Sequence, residues 1–201
     1  MTTRVVVGNL ATAVGGPGPQ RIQQVLGAIE EQFDPDVWLL CETNRVRPAR
    51  LLGKGSWAAH QGSRILGRRN NAVVWDRNLT ATRKRFWIGT FPQGHVLEPR
   101  WINRARVTGI GWTVVHIPPL RDQELVPGML RNMSRHTYAQ RLTWGGDRNQ
   151  ADMRAWAEHH GYHYREQEVM FLASDLPILR FRHVTFAGFD HPFLIGDIGH
   201  E

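Results

Sequence analysis

Leu142-Thr143-Trp144-Gly145-Gly146-Asp147-Arg148-Asn149 is the stretch on which the fold turns. Leu142 to Gly145 reads as a short strand, and it runs through a glycine pair into an aspartate and an asparagine. A carboxylate after one strand is usually a solvated loop charge. Four more strand ends, however, carry groups that hold a metal or move a proton. Asn9 follows Val5-Val6-Val7, Glu42 follows Val37-Trp38-Leu39-Leu40, His116 follows Thr113-Val114-Val115, and Asp190-His191 precedes Pro192-Phe193.

Outward from these ends, the pattern predicts strand, helix and strand over Arg4–Leu10, Gln20–Phe33 and Val37–Cys41. Gly15-Gly16-Pro17-Gly18-Pro19 breaks the first strand, and Asp34-Pro35 stops the helix. Ala72–Trp75 and Thr82–Ile88 read as a strand pair turning at Asp76-Arg77-Asn78. A hairpin is expected at Ile102–Thr108 and Trp112–Ile117, turning at Gly109-Ile110-Gly111. Arg121–Gln140 reads as partly helical, and Met153–His160 as a helix ended by Gly161. Val169–Ala173, Leu179–Ala187 and Phe193–Ile195 are the last strands. This order predicts an α/β (α+β) chain of two packed, mostly antiparallel sheets flanked by helices, with one domain over residues 1–201. Most of the eight tryptophans fall inside the expected strands and read as core, with base stacking reserved for one or two.

Charge adds a direction. The net charge is +7, and 23 of the 25 basic residues are arginine. Residues 45–106 hold 14 bases against Asp76 and Glu98, a surplus of +12, while the remainder carries −5. An Arg-rich genome would explain the choice of base but not its clustering, and a basic middle suits a polyanionic partner. Hydrophobic residues at 41% and charged ones at 21% exclude wholesale disorder. The lone Cys41 forms no internal disulfide and excludes a Cys-based zinc cluster. No apolar run approaches the roughly 18 residues of a membrane span, and the start lacks a signal-peptide pattern, so a cytoplasmic protein without a membrane partner is expected.

The ordered blocks resemble the endonuclease/exonuclease/phosphatase superfamily, the group with the DNase I-like fold. They are Gly8-Asn9, Asp36-Val37-Trp38-Leu39-Leu40-Cys41-Glu42-Thr43, His116-Ile117-Pro118, Gly145-Gly146-Asp147-Arg148-Asn149 and Phe189-Asp190-His191-Pro192. The resemblance covers Arg4 to about Gly196 and implies a DNase I-like four-layer sandwich. It also implies a Mg²⁺- or Mn²⁺-dependent phosphoesterase, with the metal at Asn9 and Glu42 and a contact from Asp190. Oxygen donors of this kind suit a hard cation that keeps several waters. By the same resemblance Asp147 orients the attacking water, Asn149 holds a phosphoryl oxygen, His116 donates to a phosphate oxygen and His191 transfers a proton.

Departures from the family pattern are visible. Gly8 and Arg148 stand where an aromatic is common. The aspartate that orients the family's catalytic histidine has no direct counterpart in Gln167-Glu168-Val169-Met170-Phe171-Leu172. Glu168 takes that role, or Asp175 does, or the role is lost with Met170 in its place. Arg104 reads either as an additional phosphate clamp, because a guanidinium binds phosphate bidentately, or as part of a solvated strand face. His159-His160-Gly161-Tyr162-His163 lacks a carboxylate ladder and is a poor metal site, and Gly15-Gly16-Pro17-Gly18 lacks the Lys-Ser/Thr of a phosphate loop. Cys41 reads as buried and inert.

The basic middle favours a nuclease acting on nucleic acid, expected to be DNA, by a chain expected to be a monomer. Two alternatives remain in view. One is a phosphatase on a small phosphate ester or lipid headgroup. The other is a catalytically reduced nucleic-acid-binding protein, motivated by the missing orienting aspartate.

Overall fold

A computed structural model describes residues 1–12, 16–53, 57–61, 71–93, 96–117 and 124–200, with the backbone alone over 91–93 and 96–99. Twelve strands and three α-helices follow in order: β1 (Thr2–Asn9), α1 (Pro19–Phe33), β2 (Val37–Cys41), β3 (Trp57–Gln61), β4 (Asn71–Asp76), β5 (Ala81–Gln93), β6 (Val96–Val107), β7 (Ile110–His116), α2 (Val126–Ser134), β8 (Leu142–Asp147), α3 (Met153–His159), β9 (His163–Gln167), β10 (Met170–Ser174), β11 (Ile178–Val184) and β12 (Phe193–Gly199). Proline at the start of α1 costs no hydrogen bond, because the first amides of a helix have no internal partner. Asp34 in the left-handed region (φ 46°) then closes the helix by donating its amide to the Glu30 carbonyl. Among the described residues no helix is long and apolar enough to cross a membrane.

The strands form two six-stranded sheets, ordered β11-β12-β1-β2-β4-β3 and β5-β6-β7-β8-β10-β9. Each is antiparallel except for one central parallel pair, β1 with β2 and β7 with β8. Apolar residues from both sheets fill the space between them, including Val7, Leu39, Trp75, Trp112, Val114 and Leu172. A second layer packs α1 on the outer face of the first sheet, and a third packs α2 and α3 on the second. This is the expected α/β sandwich of four layers.

Parallel pairing is what builds the site. Two parallel neighbours end at the same edge of a sheet, so Asn9 stands beside Cys41 and Glu42, and His116 pairs with Asp147. The two pairs lie face to face, since β1 contacts β8 and β2 contacts β7. Gly145 permits that approach, because a Cβ there would stand 2.7 Å from Val7 Cγ2 and 2.9 Å from Leu39 Cδ1.

Three expectations are corrected. β4 and β5 are not a pair: β4 lies between β2 and β3, β5 pairs with β6, and Asp76-Arg77-Asn78 carries the chain from one sheet to the other. The β6–β7 turn is Thr108-Gly109, both with positive φ (49° and 81°), and Ile110 and Gly111 already belong to β7. β3 and β9 were not anticipated from Trp-Ala-Ala-His-Gln and His-Tyr-Arg-Glu-Gln, because each is an edge strand without a continuous apolar face. Gly15, part of the expected breaker, lies outside the described residues.

Candidate active site at the ends of the parallel strands

Asp147, at the end of β8, is 1% exposed and is the focus of the cluster. Its Oδ2 accepts from Asn9 Nδ2 at 2.9 Å and its Oδ1 from the Asn149 amide at 2.7 Å. Two imidazoles converge on the same Oδ2, His116 Nε2 at 3.8 Å and His191 Nε2 at 3.7 Å. Glu42 lies alongside, its Oε1 3.4 Å from Asn9 Nδ2 and 4.0 Å from His116 Nε2. Five sequence-predicted residues thus meet: Asn9, Glu42, His116, Asp147 and His191.

The backbone around them is held in unusual conformations. Ala11 (φ 47°), Glu42 (φ 50°) and Asn149 (φ 47°) are all left-handed without being glycine. Such residues persist only where their surroundings fix them, and they concentrate at functional sites. The fixing bonds are present: the Ala11 amide donates to Asn9 Oδ1 at 2.9 Å, and Thr12 Oγ1 donates to the Glu42 carbonyl.

These bonds bear on several assignments. Asn9 Oδ1 accepts from the Ala11 amide, which leaves that oxygen one further lone pair, and its NH₂ faces both carboxylates and positions them. Asn149 Nδ2 donates one of its two hydrogens to the Ile117 carbonyl at 2.6 Å, which fastens the loop after β7. Pro118 lies outside the described residues. Asp190, next to His191 in the chain, is exposed.

Arg104 points away from the site. Its Nε donates to Thr113 Oγ1 at 2.9 Å and its Nη2 to the His136 carbonyl at 2.8 Å, with Phe86 and Trp144 beside the guanidinium. Burial there lowers its pKa to about 10, and it braces α2 against the second sheet. Neither candidate for orienting His191 does so. Glu168 is exposed at the left-handed tip of the β9–β10 turn (φ 54°), where its carbonyl accepts from Arg148. Asp175 caps the opposite end of β8, accepting from the Leu142 amide at 2.7 Å. Met170 is the residue paired with Asp147. Among the described carboxylates, the ion-pair contact of His191 is with Asp147 itself.

Sequence reasoning missed Arg100. It is buried, and its charge favours the ionised form of Glu42 while opposing protonation of His116.

Burial dominates the electrostatics. It pushes the Glu42 carboxyl up, against the pull of the Asn9 hydrogen bond, and the neighbouring Asp147 charge raises it further. Burial likewise raises Asp147 despite its bonds from the Asn149 amide and Asn9. It holds His116 well below the usual histidine range, and Arg100 and His191 add to that. His116 is therefore neutral at pH 7. Cys41 is inert as expected, its Sγ on the Val115 carbonyl at 3.3 Å and its pKa driven up by burial.

Neutral burial of His116 has a measurable consequence. Its folded-state pKa is depressed, so its contribution to stability is complete above about pH 6.5 and is lost as pH falls toward the folded-state value. Denaturant midpoints should fall between about pH 6.5 and 5, and His116→Gln should flatten that decline. An equal decline in both proteins would assign it to other groups.

The two carboxylates suit a divalent cation. Glu42 and Asp147 present two hard oxygen donors side by side, both held in a buried setting that raises their pKa values. Mg²⁺ is commonly held by one or two carboxylates with waters and substrate oxygens completing its shell. No larger group of three or more His, Cys, Asp or Glu suited to a metal exists among the described residues, the His159–His163 segment included. There His160 Nε2 instead meets Ser134 Oγ at 2.9 Å.

Two stacked sheets with this polar cluster at the ends of their parallel strands define the DNase I-like fold of endonuclease/exonuclease/phosphatase proteins. Solved structures agree on that fold. An endonuclease/exonuclease/phosphatase family protein from Leptotrichia buccalis superposes with a TM-score of 0.69 at 12% identity, covering 98% of this chain and all of the other. TDP2 from D. rerio, complexed with a single-strand DNA product, gives 0.66 at 11% identity over 99% of both chains. The AP endonuclease LMAP from Leishmania major gives 0.64 at 13% identity, covering 100% of this chain and 88% of that one. No family model matches the sequence, and no curated protein matches it.

Proposed function

We propose that this protein is a divalent-cation-dependent phosphodiester hydrolase, a nuclease acting on nucleic acid. The observation that carries the reading is Asp147 Oδ2, on which Asn9, His116 and His191 converge with Glu42 alongside. Support comes from the +12 surplus in residues 45–106 and from the fold shared with an AP endonuclease and with a TDP2 that holds DNA product.

Hydrolysis needs a water activated in line with the leaving oxygen and relief for charge on the phosphoryl group. Mg²⁺ or Mn²⁺ at Glu42 and Asp147 would supply that relief and lower the pKa of a bound water. Asp147 Oδ2 accepts the proton as the water oxygen forms its bond to phosphorus. Asn9 and the Asn149 amide keep that carboxylate aimed. His116, neutral and buried, donates one hydrogen bond to a phosphoryl oxygen without adding a charge. His191, with its side chain 27% exposed, faces the solvent side and protonates the leaving oxygen as the ester bond breaks. Among the described carboxylates Asp147 is the one beside it, at 3.7 Å, where the family resemblance implies a separate aspartate.

The test is Mg²⁺-dependent cleavage of plasmid, single-stranded DNA, RNA and small phosphoesters. Activity on the nucleic acids, lost with chelator and in Asp147→Ala, is the expected result. Activity confined to a phosphomonoester would favour the phosphatase reading. Inactivity on all of them with retained nucleic-acid binding would favour the reduced binding protein, which the unpartnered turn position of Glu168 and the presence of Met170 opposite Asp147 make the reading to exclude.

A further inference from the structure

At one side of the sandwich the edge strands β3 and β5 meet, joined where His60 Nε2 contacts the Lys84 carbonyl at 2.9 Å. An open groove of about 540 Å³ lies along β3. Arg47, Arg50, Arg77 and Arg83 line it together with the small Ala58 and Ala59, and Arg77 Nη2 donates to the Trp57 carbonyl of β3 at 3.2 Å. All four arginines are exposed, and among the described residues no carboxylate lines the groove.

One lining residue ties the groove to the segment that follows Glu42: Gln61 donates from Nε2 to the carbonyls of Thr43 (2.8 Å) and Val46 (3.0 Å). On β5, Arg83 lies over the Trp75 ring and Arg85 bonds Asn103 Oδ1, so both face the inter-sheet side. Alternation puts Trp87 on that same side. It is 50% exposed, whereas six of the other tryptophans are buried. Arg83, Arg85 and Trp87 thus stand roughly 7 Å apart along the strand, in a row that starts at the groove's Arg83 and ends where Trp87 pairs with Trp101.

We infer that this edge is a track for single-stranded polynucleotide, with Arg47, Arg50, Arg77 and Arg83 on successive phosphates and Trp87 stacked on a base nearer the cluster. Cations spaced along an extended backbone with an exposed aromatic are the parts of a single-strand site, since stacking needs a base freed from its partner. A duplex keeps its bases paired and would leave Trp87 without one. The inference rests on the nuclease reading and names its substrate class.

Binding is measured by fluorescence anisotropy in chelator, with a labelled oligothymidylate and an oligouridylate about 20 nucleotides long, enough to fill one site. Arg47→Gln/Arg50→Gln/Arg83→Gln should weaken binding at least tenfold and flatten the slope of log K against log salt by about 2, at roughly 0.7 per single-strand phosphate contact. The control removes equal charge from the opposite edge, as Arg165→Gln/Arg180→Gln/Arg182→Gln, and should keep the parent slope. Trp87→Ala should lose about tenfold in affinity without a change in slope, and Trp87→Phe should recover most of it. Equal losses in the two triple variants, or a duplex bound and weakened to the same degree as the single strand, would overturn the track. Binding of either single strand supports it, and the tighter one names the natural polymer. Cleavage of bis(p-nitrophenyl) phosphate by the parent protein, a diester too small to reach the groove, reports on the nuclease reading separately.

Discussion

Glu42→Gln is expected to lose phosphodiester hydrolysis by on the order of 10³-fold while melting higher than the parent protein in chelator. Burial raises the folded-state pKa of Glu42 and of Asp147, so near those values the folded chain holds protons that the unfolded chain has released. The stability this provides is complete below about pH 4, the ordinary carboxylate range, and disappears as pH rises through the folded-state values. Above them the site holds two charged carboxylates, both within reach of one asparagine NH₂. Glutamine keeps the oxygen that accepts from Asn9 and removes one of the two charges. Each kcal/mol relieved shifts the midpoint by about 2–4 °C for a chain of this size. Mg²⁺ should stabilise the parent and not the variant, because an ion that binds only the folded state adds its binding free energy to stability. A variant that melts lower in chelator, or that gains as much from Mg²⁺ as the parent, would show that the pair is neither strained nor the cation site.

Much of the site was legible because it depends on strand ends, and strand ends are marked locally. An apolar β-branched run that stops at Asn9, Glu42, His116 or Asp147 needs no tertiary information to be seen. What brings them together is the parallel pairing in each sheet, a tertiary feature that the expectation of mostly antiparallel sheets did not contain. The bonding inside the cluster was not legible, since the way the Asn9 and Asn149 amides face is set by partners on neighbouring segments.

Arg104 and Arg100 are a different kind of error, one of register. Both have the same parity on β6, so alternation does not separate them. The two-residue turn at Thr108-Gly109 does: it sets Arg104 opposite Thr113 and carries Arg100 to the level where β7 ends. The expected turn at Gly109-Ile110-Gly111 would instead set Arg104 opposite His116, three residues from the observed register. Glu168 misled for a related reason, because a position at the tip of a two-residue turn points its side chain outside both strands. β3 and β9 lay below any propensity threshold. Their pairing is supplied by one neighbour each and, for β3, by the bond from Trp57 Nε1 to the buried Glu30 carboxylate at 2.8 Å.

Gly146→Ala should be the most damaging glycine-to-alanine change among the described residues. Gly146 precedes Asp147 at φ +154°, and a Cβ there would stand 1.8 Å from the Val115 carbonyl oxygen and 2.9 Å from its carbon. The obstacle is backbone of the neighbouring parallel strand, so no rotamer relieves it. β7 and β8 would have to separate, and the pairs Val115 with Gly146 and His116 with Asp147 would be lost together. The expected loss is about 4 kcal/mol or more, the range reserved for strain and broken networks, which is a large share of the total stability of a domain. That corresponds to a fall in melting midpoint on the order of 10 °C, or to failure to accumulate folded protein. Gly161→Ala is the comparison: Gly161 is left-handed (φ +70°) after α3 but has open space around its missing side chain, so only the conformational cost of about 1 kcal/mol applies. If Gly146→Ala melts within a few degrees of Gly161→Ala, the strands yield more easily than the packing implies. His116 and Asp147 would then owe their juxtaposition to the hydrogen bonds of Asn9 and Asn149 rather than to the close parallel pairing that Gly146 allows.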